Sequence, residues 1–226
     1  MWVAKSRGEV PASDLLAAFG EDATAATFEL RASVEGPHTL TVDVEAWVGG
    51  RPHGTWIVRC EGLVEHRVAL GQLGALLHTR RHELLIDYHE PHEQLQYFGG
   101  GPPDPDHVVS ELQRAHHQVV GAWRPMTRYL TGAFTLPKFL RLPAGIVAHG
   151  PKSLMRAYGS VLEGNGMSTR LDSQASPRQP GCPAWVKDPL NLELLIFRPE
   201  RLHHRKRGEP PPSFVIADRI VCDPVE

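Results

Sequence analysis

Between Phe28 and Leu70 the side chains alternate with a period of two, and no other feature limits the chain's fold as strongly. Phe28, Leu30, Ala32 and Val34 alternate with polar residues, as do Leu40, Val42, Val44, Ala46 and Val48. Trp56, Val58 and Cys60 follow, then Val64, His66, Val68 and Leu70. Successive side chains of a strand point to opposite faces, so this pattern predicts half-buried strands with one dry face. Gly36-Pro37, Gly49-Gly50-Arg51-Pro52 and Glu61-Gly62 separate the runs and read as turns. The result is a four-strand antiparallel meander.

The rest of the chain mixes helix and strand. Residues 11–20 read as a short helix, capped by Ser13 or Asp14 and stopped by Gly20. Residues 72–81 read as a helical turn, and 84–88 and 95–98 as two more strands. Gly99 to Pro105 is a strong break and the best place for a subdomain boundary. A long helix then starts with Asp104 as N-cap and Pro105 at its first position. Val108, Val109, Leu112, Ala115, Val119, Val120 and Trp123 share one face. A second helix spans about 151–163 and stops at Gly164-Asn165-Gly166. Residues 165–189 read as a surface loop in which Trp185 docks back on the domain. Strands at 192–197 and 214–222 close the chain, separated by a basic, Pro-rich loop.

The expected fold is α+β in one domain, 1–226. A curved antiparallel sheet combines the N-terminal meander with the C-terminal strand pair, and two main helices pack on one face. A subdivision would separate a β-rich part, 1–100, from a part with helices plus C-terminal strands, 104–226. With 226 residues, 41% of them hydrophobic, the chain can bury a sizeable core.

Composition narrows the function. A net charge of −2 argues against a general electrostatic grip on nucleic acid or anionic membrane. No apolar run reaches the roughly 20 residues of a membrane span. The first nine residues hold no apolar signal core, and the cysteines are odd in number: Cys60, Cys182 and Cys222. Both features predict a cytoplasmic, reducing compartment. A pairing of Cys182 with Cys222 is the one disulfide that the pattern offers. Arginine outnumbers lysine 19 to 5, which points to a GC-rich bacterial genome. The 13 histidines have no such explanation.

Asp87-Tyr88-His89-Glu90-Pro91-His92-Glu93 packs five metal-binding or acid–base groups into seven residues. With His82 it offers His82, His89, His92 and Glu93 as ligands for zinc or iron, and Glu90 or Glu93 as a catalytic base. The spacing does not match HExxH. Nor does it match the cupin His-x-His with its later Glu, because the gap here is His-x-x-His and Glu93 follows at once. On a strand, positions 89 and 92 face opposite sides. The competing assignment is a polar turn between strands. His78 and His82 would share a helix face, either as ligands or as a solvated basic helix end. His116 lies on the apolar face of the long helix. A structural histidine with a hydrogen-bond partner is the first reading there, and a tunable acid or base the second.

Gly145 to Ser153 resembles a P-loop with a proline inserted before Lys152. Pro151 removes a backbone donor and displaces the lysine, which leaves at most a weak anion site at a helix N-terminus. Arg198, Arg201, His203, His204, Arg205, Lys206 and Arg207 form a cationic loop with few aromatics, better suited to an acidic protein partner than to nucleic acid. There is no GxSxG elbow, no CxxC and no GxGxxG after a strand. With no intact catalytic motif, the expected function is a non-enzymatic binding or protein-interaction protein of accessory or adaptor type. A metal-dependent enzyme built on the 82–93 cluster is the alternative. An anion or nucleic-acid binder using Lys152, Arg205, Lys206 and Arg207 comes third.

Overall fold

The computed structural model describes residues 10–11, 26–71, 73–99, 101–131, 136–173, 183–186, 188–199 and 213–225. The strands, in chain order, are β1 (Val10–Pro11), β2 (Ala26–Gly36), β3 (Thr39–Val48), β4 (Arg51–Arg67), β5 (Leu73–Thr79), β6 (His92–Phe98), β7 (Ala144–Pro151), β8 (Ser168–Ser173), β9 (Glu193–Pro199) and β10 (Ser213–Val225). The helices are α1 (Ile86–His89), α2 (Pro105–Val120), α3 (Leu136–Phe139) and α4 (Lys152–Gly164). Contacts divide the chain into two compact units. One holds residues 1–80 and 183–226, the other residues 81–182. The expected helix at 11–20, apart from Pro11, falls outside the described residues, as do Cys182 and positions 201–207.

The first unit is an antiparallel sheet that closes on itself. Its strands run β10-β4-β3-β2-β5-β9, and β9 pairs again with β10. The N-terminal meander and the C-terminal strand pair thus share one sheet, as the alternation predicts. Closure removes the free edges that an open sheet would expose. Among the described residues the ring's narrowest seam is β2 with β5, where Phe28↔Gly74 and Glu29↔Leu73 pair. Inside, Phe28, Leu30, Leu40, Val42, Val44, Val58, Cys60, Leu195, Phe197, Val215, Ile220 and Cys222 pack together.

Three details depart from the sequence reading. The Glu61-Gly62 separator is not a turn: one 17-residue strand, β4, runs through it. Gly62 lies within the strand at φ 62°, close to Asp218, where a Cβ would fall 2.4 Å from Asp218 Oδ2. Second, the β2–β3 register shifts between Leu30 and Ala32, leaving Arg31 as the extra residue. A one-residue slip swaps faces, so Val34 points outward and is 70% exposed. Third, residues 73–79 form β5 instead of a helical turn, because pairing with β9 from Gly74↔Pro199 to Thr79↔Leu194 overrides local preference.

The second unit is a three-stranded antiparallel sheet, β7-β6-β8, on which α2 and α4 pack. The two main helices therefore pack separately from the large sheet. Asp104 caps α2 by accepting the His107 N–H at 3.0 Å. Val108, Leu112, Leu154, Met155, Tyr158 and Leu162 pack against Leu95, Tyr97 and Val147. Residues 84–88 form a 3-10 turn (Glu83–Leu85) and α1 instead of a strand. Part of the expected 165–189 loop is β8, paired with β6. No helix among the described residues is long and apolar enough to cross a membrane.

Candidate functional site

The polar groups of the second unit gather around one buried carboxylate. Asp87 lies on α1, and burying it demands compensating charge. Arg124 Nε lies 3.2 Å from Asp87 Oδ2 and Arg128 Nε lies 3.3 Å from it. Tyr129 Oη donates to Oδ1 at 2.8 Å. Burial, with the adjacent carboxylate, pushes the Tyr129 hydroxyl well above the ordinary tyrosine range. Arg124, itself buried, also donates to the Leu84 carbonyl at 3.2 Å and sits over the Tyr88 ring.

His116 belongs to the same network. Its Nε2 lies 2.8 Å from the Arg124 carbonyl, so Nε2 carries the proton. Nδ1, 2.9 Å from Tyr158 Oη, then accepts from that hydroxyl. Burial lowers the His116 pKa, opposed by the Arg124 carbonyl, and burial raises that of Tyr158. With both nitrogens engaged, the imidazole joins α2, α4 and the chain at Arg124.

Glu90 and Glu93 serve the start of α4. Pro151 has no side chain able to cap, and Glu90 Oε2 accepts the Ser153 N–H at 2.7 Å in its place. Glu93 is buried, with Oε1 3.2 Å from Lys152 Nζ and 3.5 Å from Ser173 Oγ. Its Oε2 is buried without a hydrogen bond. Both anion-binding elements read from the sequence, Lys152 and the helix amide, therefore already hold carboxylates of this chain. The P-loop-like stretch is β7 running into α4.

Among the described residues, no three His, Cys, Asp or Glu side chains converge to hold a metal. His82 caps the 3-10 turn, with Nδ1 accepting the Leu84 N–H at 3.2 Å and its ring edge-on to Trp123. His89 ends α1. His92 and Glu93 are neighbours on β6 and face opposite sides of the sheet. Instead, His92 meets His149 of β7, a residue that the sequence reading did not single out, with ring centroids 5.4 Å apart. His92 Nε2 donates to the Asp87 carbonyl at 3.0 Å. Burial lowers the His92 pKa, partly opposed by that bond. Asp87 and Arg124 were also missed as a pair. The only signal was a lone aspartate directly after the apolar run Leu84-Leu85-Ile86 and before Tyr88.

The first unit has its own ionic site. Glu193 of β9 is buried, 2.5 Å from Arg80 Nη2 and 3.4 Å from His78 Nε2, and it accepts the Ile220 N–H at 2.8 Å. Burial alone would raise its pKa, but His78, Arg80 and the amide outweigh it and lower the value to about 2. His78 thus faces Glu193 from β5 and does not share a helix face with His82. Cys60 and Cys222 are free, buried thiols. Burial raises both pKa values, that of Cys222 to about 12, which keeps them unreactive. The candidate partner-contact residues Arg205, Lys206 and Arg207 lie outside the described residues.

Fold and sites together define an α+β protein made of a closed antiparallel barrel and a helix-backed sheet with a buried ionic centre. No protein-family model, curated protein or solved structure matches the chain.

Proposed function

We propose that this is a non-enzymatic protein-interaction protein of the cytoplasm, and that it meets its partner through the barrel's β2–β3 hairpin. One observation carries the reading. The Trp185 ring lies against the His38 ring with centroids 4.0 Å apart, yet Trp185 remains 45% exposed. His38 sits at the hairpin tip with φ 59°, held by its carbonyl accepting the Leu63 N–H at 2.8 Å. Val34, turned outward by the register shift, lies on the same hairpin. An aromatic ring already held against a neighbouring ring loses little side-chain freedom on binding, and tryptophan is enriched among residues that dominate interface energy. A packed barrel interior supports the reading, since it makes the barrel a scaffold for its surface. A reducing compartment fits the free thiols Cys60 and Cys222.

The test compares the wild-type protein with Trp185→Ala. Each is immobilised and exposed to cross-linked lysate of the source cells, and candidate partners are then purified and titrated. The reading requires a one-to-one partner whose affinity falls at least about tenfold on Trp185→Ala, or roughly 1.4 kcal/mol. Equal affinity for both proteins, or saturable turnover of a small molecule with no partner retained, would overturn it.

A further inference from the structure

His92 and His149 leave two imidazole nitrogens without partners. His92 Nε2 carries its proton, because it donates to the Asp87 carbonyl at 3.0 Å. His92 Nδ1 is therefore a bare lone pair, and it is buried with no hydrogen bond. His149 Nε2 is likewise buried with no hydrogen bond. Leaving a buried polar atom unsatisfied is destabilising, so two on adjacent strands call for an occupant. Neutral imidazole nitrogens are ready ligands for first-row ions.

The surroundings match such a site. A metal-binding histidine almost always donates its second ring N–H to a carbonyl or carboxylate, which fixes the tautomer and aims the lone pair. The His92–Asp87 bond is of that kind. Strand pairing fixes the two backbones, with His92↔Pro151 and Gln94↔His149 in register. With metal–nitrogen bonds of about 2.0–2.1 Å, two imidazoles at a near-tetrahedral angle on one ion place their centroids roughly 5 Å apart. The observed separation is 5.4 Å, at an interplanar angle of 64°. The nearby charge of Arg128 is matched by the Asp87 carboxylate at 3.3 Å.

We propose that His92 Nδ1 and His149 Nε2 together bind one first-row ion of the zinc and copper class, with solvent completing its coordination. The site shares only His92 with the His82/His89/His92/Glu93 set, takes its second ligand from β7, and is independent of the partner-binding reading, so either can fail alone.

The experiment titrates metal-free protein, carrying no polyhistidine tag, with zinc chloride. Calorimetry gives the affinity, and nitrogen-15 histidine spectra report the ring nitrogens. One equivalent of zinc is expected to shift His92 Nδ1 and His149 Nε2 together. His92→Ala and His149→Ala are each expected to weaken binding at least tenfold, while His89→Ala leaves it unchanged. If both ring resonances stay still at saturating zinc, or His149→Ala binds as tightly as wild type, the proposal fails. The spectra of the wild-type protein decide the matter even where a variant does not fold.

Discussion

The Glu193 carboxylate accepts the Ile220 backbone N–H at 2.8 Å, on the stretch of β10 that lies between its pairing with β9 and its pairing with β1. β9 leaves β10 at Ala217, and β1 joins at Val221. The side chain satisfies a buried amide that, among the described residues, no strand on that edge reaches.

This contact should make the fold acid-sensitive. Glu193 shifts from its ordinary 4.5 to about 2 in the folded state. A depressed carboxylate pKa contributes stability that is fully present above the unfolded value and lost as pH falls toward the folded one. Wild-type unfolding free energy should therefore drop between pH 4.5 and 2, by on the order of 3 kcal/mol from this group. Urea unfolding of Glu193→Gln should show a lower stability at pH 7 and a shallower loss over that window. Parallel pH profiles for both proteins would refute the assignment.

Asp87 and Arg124 are both buried, so removing Asp87 strands the Arg124 charge, and removing Arg124 leaves Asp87 with the half-exposed Arg128 and the Tyr129 hydroxyl. Asp87→Asn or Arg124→Met should each cost about 3–5 kcal/mol by chemical unfolding. The double variant should cost clearly less than the sum, because no lone charge is left behind. Additive losses would show that the two groups do not depend on each other.

His116 is buried neutral, with its pKa lowered chiefly by burial. The unfolded chain takes up the proton first as pH falls, so stability should decline below the ordinary histidine range. His116→Phe should remove that part of the pH dependence. It should also lower stability at pH 8 by about 1–3 kcal/mol, because the Arg124 carbonyl and Tyr158 hydroxyl lose their partner. A variant as stable as wild type at pH 8 would contradict the network.

Gly62 and Gly164 form a matched pair. Gly62→Ala places a Cβ at positive φ against Asp218, and should cost about 1–3 kcal/mol. Gly164, the last residue of α4, has open space around its Cβ position, so Gly164→Ala should be neutral or gain up to about 1 kcal/mol. Thermal melts of the two variants should move in different directions or by clearly different amounts.

The signals carried by neighbouring residues were legible in the chain itself. Period-two alternation marked β2, β3 and the inner part of β4. Asp104-Pro105 marked the start of α2, and Gly164-Asn165-Gly166 the end of α4. These depend on backbone geometry and capping within a few residues, so local sequence determines them. Only the tertiary structure decided what depends on pairing between distant segments. The extra residue at Arg31 that turned Val34 outward, the strand pairing that made β5 from a helix-like stretch, and the return of β9 to β10 are all of this kind. So is the network around Asp87, whose partner Tyr129 lies 42 residues away. Local propensity is worth tenths of a kcal/mol per residue, whereas strand register and buried charge pairing are worth several kcal/mol. Those stronger forces act between segments far apart in the chain, so no short stretch of sequence carries their mark.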